Sequence, residues 1–320
     1  MGLVVFDAQA VRRGLTYQDA IPVVRAAMIA LSDGRVRQNL RSFIGLGEGR
    51  TFAIMPAALD ADGAFGAKLV SVFNTDGRKR HRGLVILFDG ETGAPVCLAD
   101  AEEVTAIRTP AASAAATDAL ARPDARVLAI LGVGLQAAGH IEAIGQVREL
   151  SEVRVWGRSP DKARAFAAEM SARHGLPVRA FSEIPAAVEG ADIICTVTGA
   201  ADPILEAGWV SPGTHLNVVG SSGPGQAEIS AELVARGRFI ADHRQHVLVH
   251  GGEFLRAKAA GLVGDDHVAA EIGEVFAGDQ PGRRFVDEVT IYKSLGHAAQ
   301  DIAVTAWLSA RTADWNGAPA

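Results

Sequence analysis

The chain has 320 residues, 48% hydrophobic and 21% charged, with a formal net charge of −6, a globular balance with length for one large or two medium domains. The mildly acidic balance gives no electrostatic reason to bind nucleic acid or an anionic membrane, and no apolar stretch approaches the roughly 18–20 residues of a membrane span. Only Cys97 and Cys195 are present, far apart, which excludes a disulfide scaffold or a zinc cluster and suits a reducing compartment.

No metal is expected, and the cytoplasm is the expected location. Residues 1–7, Met1-Gly2-Leu3-Val4-Val5-Phe6-Asp7, contain a short apolar run without a basic start or a small-residue cleavage site. They predict a strand or helix lead-in rather than a signal peptide. Periodicity predicts a helix over 16–31, then strands over 51–55, 66–73 and 84–89. Turn formers separate the strands: Asp60-Ala61-Asp62-Gly63, Asn74-Thr75-Asp76-Gly77 and Asp89-Gly90-Glu91-Thr92-Gly93. Strands in succession on short turns predict an antiparallel or mixed sheet. An Ala-rich helix over 101–121 follows, stopped by Arg122-Pro123-Asp124.

From Arg126 the pattern changes. The apolar run Val127-Leu128-Ala129-Ile130-Leu131 reads as a strand buried on both faces. Helix 136–146, strand 153–156, helix 162–174 and strands 178–181, 192–196, 215–219 and 239–241 follow. That alternation predicts an α/β doubly wound parallel sheet, a Rossmann domain, beside a second α+β domain. Residues 290–309 are predicted to be helical.

The first predicted parallel strand runs into Gly132-Val133-Gly134-Leu135-Gln136-Ala137. The first glycine permits a tight turn, the second lets a pyrophosphate approach the backbone, and the following helix offers free N–H groups. In this strand–turn–helix context the motif points to a dinucleotide. An acid at the tip of the second strand would accept from the ribose of NAD. Here Trp156-Gly157-Arg158-Ser159 carries none. Arg158 and Ser159 suit a 2′-phosphate, so NADP(H) is favoured, with NAD(H) retained if Arg158 only stacks on the adenine. Asp161 reads as an acid of the next helix's first turn.

Three cations precede the nucleotide-binding half. Lys68 begins an otherwise apolar strand, where a lysine is costly unless paired or lining a cavity. Arg41 and Arg108 are natural forks for a carboxylate. Surface or snorkelling positions are the bland alternative for all three.

These segments resemble one family. Ile54-Met55-Pro56-Ala57, Lys68-Leu69-Val70-Ser71-Val72-Phe73, Arg108-Thr109-Pro110-Ala111-Ala112-Ser113-Ala114, the Gly132–Ala137 turn, Val219-Gly220-Ser221-Ser222-Gly223-Pro224-Gly225, Glu271-Ile272-Gly273-Glu274-Val275 and Tyr292-Lys293-Ser294-Leu295-Gly296 through Gln300-Asp301 are similar, in order, to the ornithine cyclodeaminase/mu-crystallin family. The resemblance implies a homodimer whose residues 1–115 and 297–320 bind substrate and dimerise, while 116–296 bind NAD(P). It places Arg41, Lys68 and Arg108 around the α-carboxylate and nitrogen of a small amino or imino acid, with Arg37 a competitor for Arg41. It assigns dinucleotide contacts to Arg108, Thr109, Gly132, Gly134, Gln136, Ala137, Arg158, Ser159, Thr198, Val219, Ser294 and Gly296.

Departures from the family pattern bear on the reaction. The cyclodeaminases carry an aspartate two residues before the proline of the 219–225 loop, and Ser222 stands there. A serine is no carboxylate base near neutral pH. Reduction of the C=N bond of a small, cyclic imino acid, such as pyrroline-2-carboxylate or piperideine-2-carboxylate, is therefore expected, with Lys68, Ser222 and His297 as candidate catalytic groups. A packed histidine is the bland alternative for His297. Ornithine cyclodeamination or amino-acid dehydrogenation with bound NAD is a second reading, and a non-catalytic, NADP-dependent ligand-binding protein a third.

Overall fold

A computed structural model describes residues 2–311 apart from 40, 61–62 and 76–77. Ala61, Asp62, Asp76 and Gly77 of two expected turns thus lie outside the described residues. In chain order the first elements are β1 (Val4–Phe6), α1 (Ala8–Gly14), α2 (Tyr17–Ser32), β2 (Val36–Gln38), β3 (Ser42–Gly47), β4 (Arg50–Leu59), β5 (Phe65–Thr75), β6 (Arg78–Phe88), β7 (Pro95–Asp100) and α3 (Ala101–Leu120). Then come β8 (Val127–Leu131), α4 (Leu135–Ile144), β9 (Glu152–Trp156), α5 (Pro160–His174), β10 (Val178–Phe181), α6 (Ile184–Val188), β11 (Ile193–Thr196) and β12 (His215–Val218). The chain closes with α7 (Ala231–Arg236), β13 (Arg238–Ala241), α8 (Arg244–His250), α9 (Gly252–Ala259), β14 (Val268–Glu271), α10 (Ile272–Ala277), β15 (Thr290–Lys293) and α11 (Ala298–Ala310). Contacts divide it into two compact units, Met1–Thr109 with His297–Ala320, and Pro110–Gly296.

The first unit is a mixed sheet in the order β1-β7-β6-β5-β4-β2, with β3 paired to β4. β1 runs parallel to β7, and the other pairs are antiparallel. In β4 the buried residues alternate, Ala53, Met55, Ala57 and Leu59, the period of a strand with one face on a core. Helix α11 packs on β4, β5 and β6, and α2 packs on α11. Thr16 caps α2 by accepting from the Asp19 N–H. Its stripe Ala20, Val24, Ala27, Met28, Leu31 is buried. Val24, Met28 and Leu31 contribute about 1.5–3 kcal/mol each by leaving water.

The second unit is an all-parallel sheet in the order β10-β9-β8-β11-β12-β15-β13-β14. Its first five strands follow the 3-2-1-4-5 winding of a Rossmann domain, so the winding reverses between β8 and β11. Leu128, Ala129, Ile130 and Leu131 are fully buried, as expected of a central parallel strand. The fold is therefore α/β, a Rossmann domain with a second α+β domain.

One expected element is corrected. Residues 290–309 are not a single helix. Thr290–Lys293 form β15, hydrogen-bonded between β12 and β13, and the helix begins at Ala298. Both faces of β15 are covered, and its four residues, Thr290-Ile291-Tyr292-Lys293, are too few to show an alternation that distinguishes a strand from a buried helix turn. Gly296, at φ 78°, separates the two elements.

Candidate functional site

In the first unit, strand parity turns Lys68 to the core face of β5, in register with Met55 and Val85. It is only 6% exposed, so a surface role is excluded. Its ammonium donates to Asp301 Oδ1 at 3.1 Å and to Thr105 Oγ1. Arg108, on α3, donates from Nε to the same Asp301 oxygen at 3.0 Å and from Nη1 to Gln300 Oε1 at 2.9 Å. Asp301 lies in the first turn of α11 and is fully buried, where the helix dipole favours an anion. Its Oδ2 has no hydrogen-bond partner among the described residues.

Burial pushes the Lys68 ammonium down to about 8; Asp301 opposes that fall, and Arg108 and Arg41 add to it. Burial alone would raise the Asp301 carboxyl, but Arg108 and Lys68 more than offset it and hold the group below the usual carboxylate range. Arg41, just before β3, is thus close enough for Lys68 to feel its charge. Its competitor Arg37 is exposed and ion-paired with Asp60 at 2.7 Å. His297 precedes α11 and is 2% exposed. Its Nδ1 lies 2.7 Å from Gln38 Nε2, and the Gln38 Oε1 accepts from the Ala299 N–H.

In the second unit, Gly132 sits at φ 129°, and a Cβ there would meet Val197 O at 2.8 Å. Gly134 is exposed, with open space where a Cβ would stand. It opens α4 without any side-chain cap, so the first N–H groups of the helix await an acceptor. Gln136 adds a buried Oε1 with no hydrogen-bond partner. Ala137 is fully buried behind the turn. These features fit a dinucleotide pyrophosphate. Gly157 keeps the tip of β9 close, since a Cβ there would meet Val133 at 2.9 Å. Arg158 is exposed beyond that tip, and no described residue pairs with it. Ser159 caps α5 by accepting from the Lys162 N–H at 3.5 Å, and Asp161 pairs with Arg164 in the first turn.

The remaining candidates cluster at the carboxyl ends of the parallel strands. Thr198 follows β11, with its N–H and Oγ1 both donating to Glu228 Oε1. Val219 follows β12, donating its N–H to Thr196 O. Ser222 is exposed three residues later. Ser294 and Gly296 follow β15, and Asp242 Oδ2 accepts the Gly296 N–H at 2.9 Å. Thr109, placed in the first unit, has a buried Oγ1 with no hydrogen-bond partner. A cavity of about 1060 Å³ lies at the opposite, amino ends of β13 and β15. There Arg236 and Arg238 are committed to main-chain carbonyls, and Arg284 is paired with Glu288.

Sequence reasoning missed Asp301, Gln300 and Thr105 as partners of the cations, and Glu228, Asp242 and Glu253 as anchors of the loops. An acid in the apolar run Ala298-Ala299-Gln300-Asp301-Ile302-Ala303 is the same signal that singled out Lys68.

The fold and the two sets of residues describe one class, a two-domain chain joining a dinucleotide-binding Rossmann unit to a cationic, carboxylate-lined centre. The family model for the ornithine cyclodeaminase/mu-crystallin family matches residues 3–314, and the chain belongs to that family. It is 37% identical over 289 residues to the ketimine reductase mu-crystallin of Rattus norvegicus, covering 88% of each chain. It is 32% identical over 311 residues to a delta(1)-pyrroline-2-carboxylate reductase of Bacillus cereus, covering 96% of this chain and 95% of that one. The structure of the Thermococcus litoralis delta(1)-pyrroline-2-carboxylate reductase in complex with NADH and L-proline superposes with a TM-score of 0.93, at 31% identity and 98% coverage of both chains.

Proposed function

We propose that this chain is an NAD(P)H-dependent reductase of the C=N bond of a small imino acid, cyclic and five- or six-membered, such as pyrroline-2-carboxylate or piperideine-2-carboxylate. The observation that carries the reading is the buried Lys68–Asp301–Arg108 centre. Two cations share one carboxylate oxygen, so the centre keeps a net positive charge, to which Arg41 adds. Arg108 spends Nε and Nη1 on Asp301 and Gln300. Its Nη2 is left for the substrate carboxylate, with Arg41 as a second fork. The unpartnered Asp301 Oδ2 accepts the N–H of a protonated imine, and the Lys68 ammonium completes the field. When bound, the dinucleotide supplies the hydride to the imine carbon. Fixed donors and acceptors hold the imine so that little reorganisation is needed as hydride addition at its carbon neutralises its charge and leaves an amine.

NADP(H) is the favoured form: the tip of β9 offers Arg158 and no acid. The Ser159 hydroxyl oxygen is engaged in capping α5, which leaves Arg158 the principal group for a 2′-phosphate. Ser222 provides a hydroxyl where a cyclodeaminase needs a carboxylate base, which supports reduction over ammonia loss. Buried His297, held by Gln38 just ahead of α11, is the candidate proton donor to the new amine. The all-exposed strand β3, with Phe43, Ile44 and Leu46 in solvent, supports a homodimer formed through the first unit. A cytoplasmic location fits two buried free thiols.

The test is a turnover screen. Purified protein is expected to oxidise NADPH with five- and six-membered cyclic imino acids and to release no ammonia from ornithine. Ammonia and proline from ornithine without net NADPH consumption would replace this reading with cyclodeamination, and binding without turnover would replace it with a ligand-binding role.

A further inference from the structure

Three neighbouring strands of the second unit end in one row. Thr196 of β11 is in register with Val218 of β12, and Val218 with Lys293 of β15. Lys293 closes an interior strand and is fully buried. Its Nζ donates to Ser221 O at 2.7 Å and Ser221 Oγ at 2.6 Å, and lies 2.9 Å from Glu253 Oε2. The Ser221 hydroxyl in turn donates to Glu253 Oε1, which also accepts the Glu228 N–H at 3.0 Å. The Glu228 carboxylate accepts from the N–H of Gly220 and Thr198 and from the hydroxyls of Thr198 and Thr196. The backbone fits as tightly: a Cβ on Gly220 would lie 2.1 Å from Thr198 O, and one on Gly252 would lie 1.8 Å from Gln226 O.

We infer that Lys293, Ser221 and Glu253 are positioning residues that fix the main chain of the loop over residues 219–226, and through it the orientation of the nicotinamide end of the dinucleotide. This rests on the reading of the second unit as the dinucleotide-binding half of an imine reductase. Two physical arguments carry it. A buried ion pair is a poor device for stability, because desolvation offsets its attraction and an apolar pair of similar volume commonly serves as well. A polar network whose members are all engaged, here with Glu253 Oε2 held by its ion pair with Lys293, by contrast specifies one geometry. In a doubly wound sheet the ligand lies beyond the carboxyl ends of the strands, where this network grips the loop that carries Ser222. The adenine end is held elsewhere, by the 132–137 turn and the β9 tip, so the network's effect is confined to one end of the ligand.

The test compares two ligands on the full-length protein: NADPH, and 2′-phospho-ADP-ribose, which lacks the nicotinamide. Variants are Lys293→Met, Glu253→Gln and Ser221→Ala, the last removing one oxygen and keeping both charged partners, so that it reports even if the others fail to fold. The fragment is expected to bind each folded variant within about two-fold of the parent protein. NADPH affinity and kcat for the imino acid should fall on the order of ten- to hundred-fold, with KM for the imino acid little changed. Equal weakening of both ligands would show a merely structural network and overturn the inference, as would unchanged NADPH affinity and kcat in Ser221→Ala. If the parent protein binds both ligands but turns over no imino acid, the imine-reductase reading fails while the binding comparison still judges the loop.

Discussion

Each unit buries a lysine against a carboxylate, and the surroundings of the two lysines differ. Around Lys68 cations outnumber carboxylates: Lys68 and Arg108 share one oxygen of Asp301, and the other oxygen has no hydrogen-bond partner among the described residues, which on the proposed reading leaves it for a ligand. Around Lys293 acids outnumber the cation: Glu228 and Glu253 Oε1 are committed to main-chain N–H groups and hydroxyls of the protein itself, and Glu253 Oε2 meets the Lys293 ammonium at 2.9 Å. The same residue types make a receptor where donors and acceptors are left over and a clamp where they are consumed. Surplus, rather than burial or charge alone, separates the two.

The sharpest way to break this comparison is to remove the receptor's lysine. Lys68→Ala is expected to lower imine reduction by about a thousand-fold or more and to leave the dinucleotide Kd largely intact; retained turnover would reject the assignment. Asp301→Asn comes next. It leaves two buried cations facing a neutral amide, a loss of about 3–5 kcal/mol in unfolding free energy, together with a large fall in kcat/KM. Denaturation midpoints and steady-state rates check both. Arg158→Ala should weaken NADPH ten- to a hundred-fold, the value of about 1.5–3 kcal/mol for a charge-assisted hydrogen bond, and leave NADH within about two-fold. Equal effects on the two dinucleotides would assign Arg158 to the adenine instead.

The smallest effect at neutral pH is in the pH profile. The Lys68 ammonium is lowered from 10.5 to about 8, so kcat/KM for imine reduction should fall as pH rises through about 8, and oxidation of the cyclic amino acid should rise over the same interval. Stability runs the other way from the reductive rate. Between about 8 and 10.5 the unfolded chain holds a proton on this lysine that the folded chain does not, so the cost of burying the ammonium is full below 8 and is relieved as pH climbs.

What the sequence made legible follows from locality. Strand β8 and its glycine turn announce themselves because a two-sided parallel strand is a continuous apolar run and the turn demands particular residues. Lys68 was visible because strand parity makes a charge among apolar neighbours anomalous. Asp301 was not, since an acid near the start of a helix ordinarily faces water, and its partner Lys68 lies 233 positions away. Strand β14, Val268-Ala269-Ala270-Glu271, escaped because it is short and alanine-rich. Strand β15 was absorbed into the helix that follows it. Arg37 and Arg41 stood in contention because the segment before Met55 varies in length in the family; the fold shows Arg37 exposed and paired with Asp60, and Arg41 near enough for Lys68 to feel its charge.

The shared oxygen of Asp301 ties two events together. Lys68 and Arg108 lean on the same atom, so an incoming carboxylate that draws the guanidinium toward itself leaves more of that oxygen's negative charge to the ammonium. Occupancy and proton affinity are then linked in both directions: the protein grips its anion more firmly when Lys68 is charged, and keeps Lys68 charged to higher pH when the anion is present.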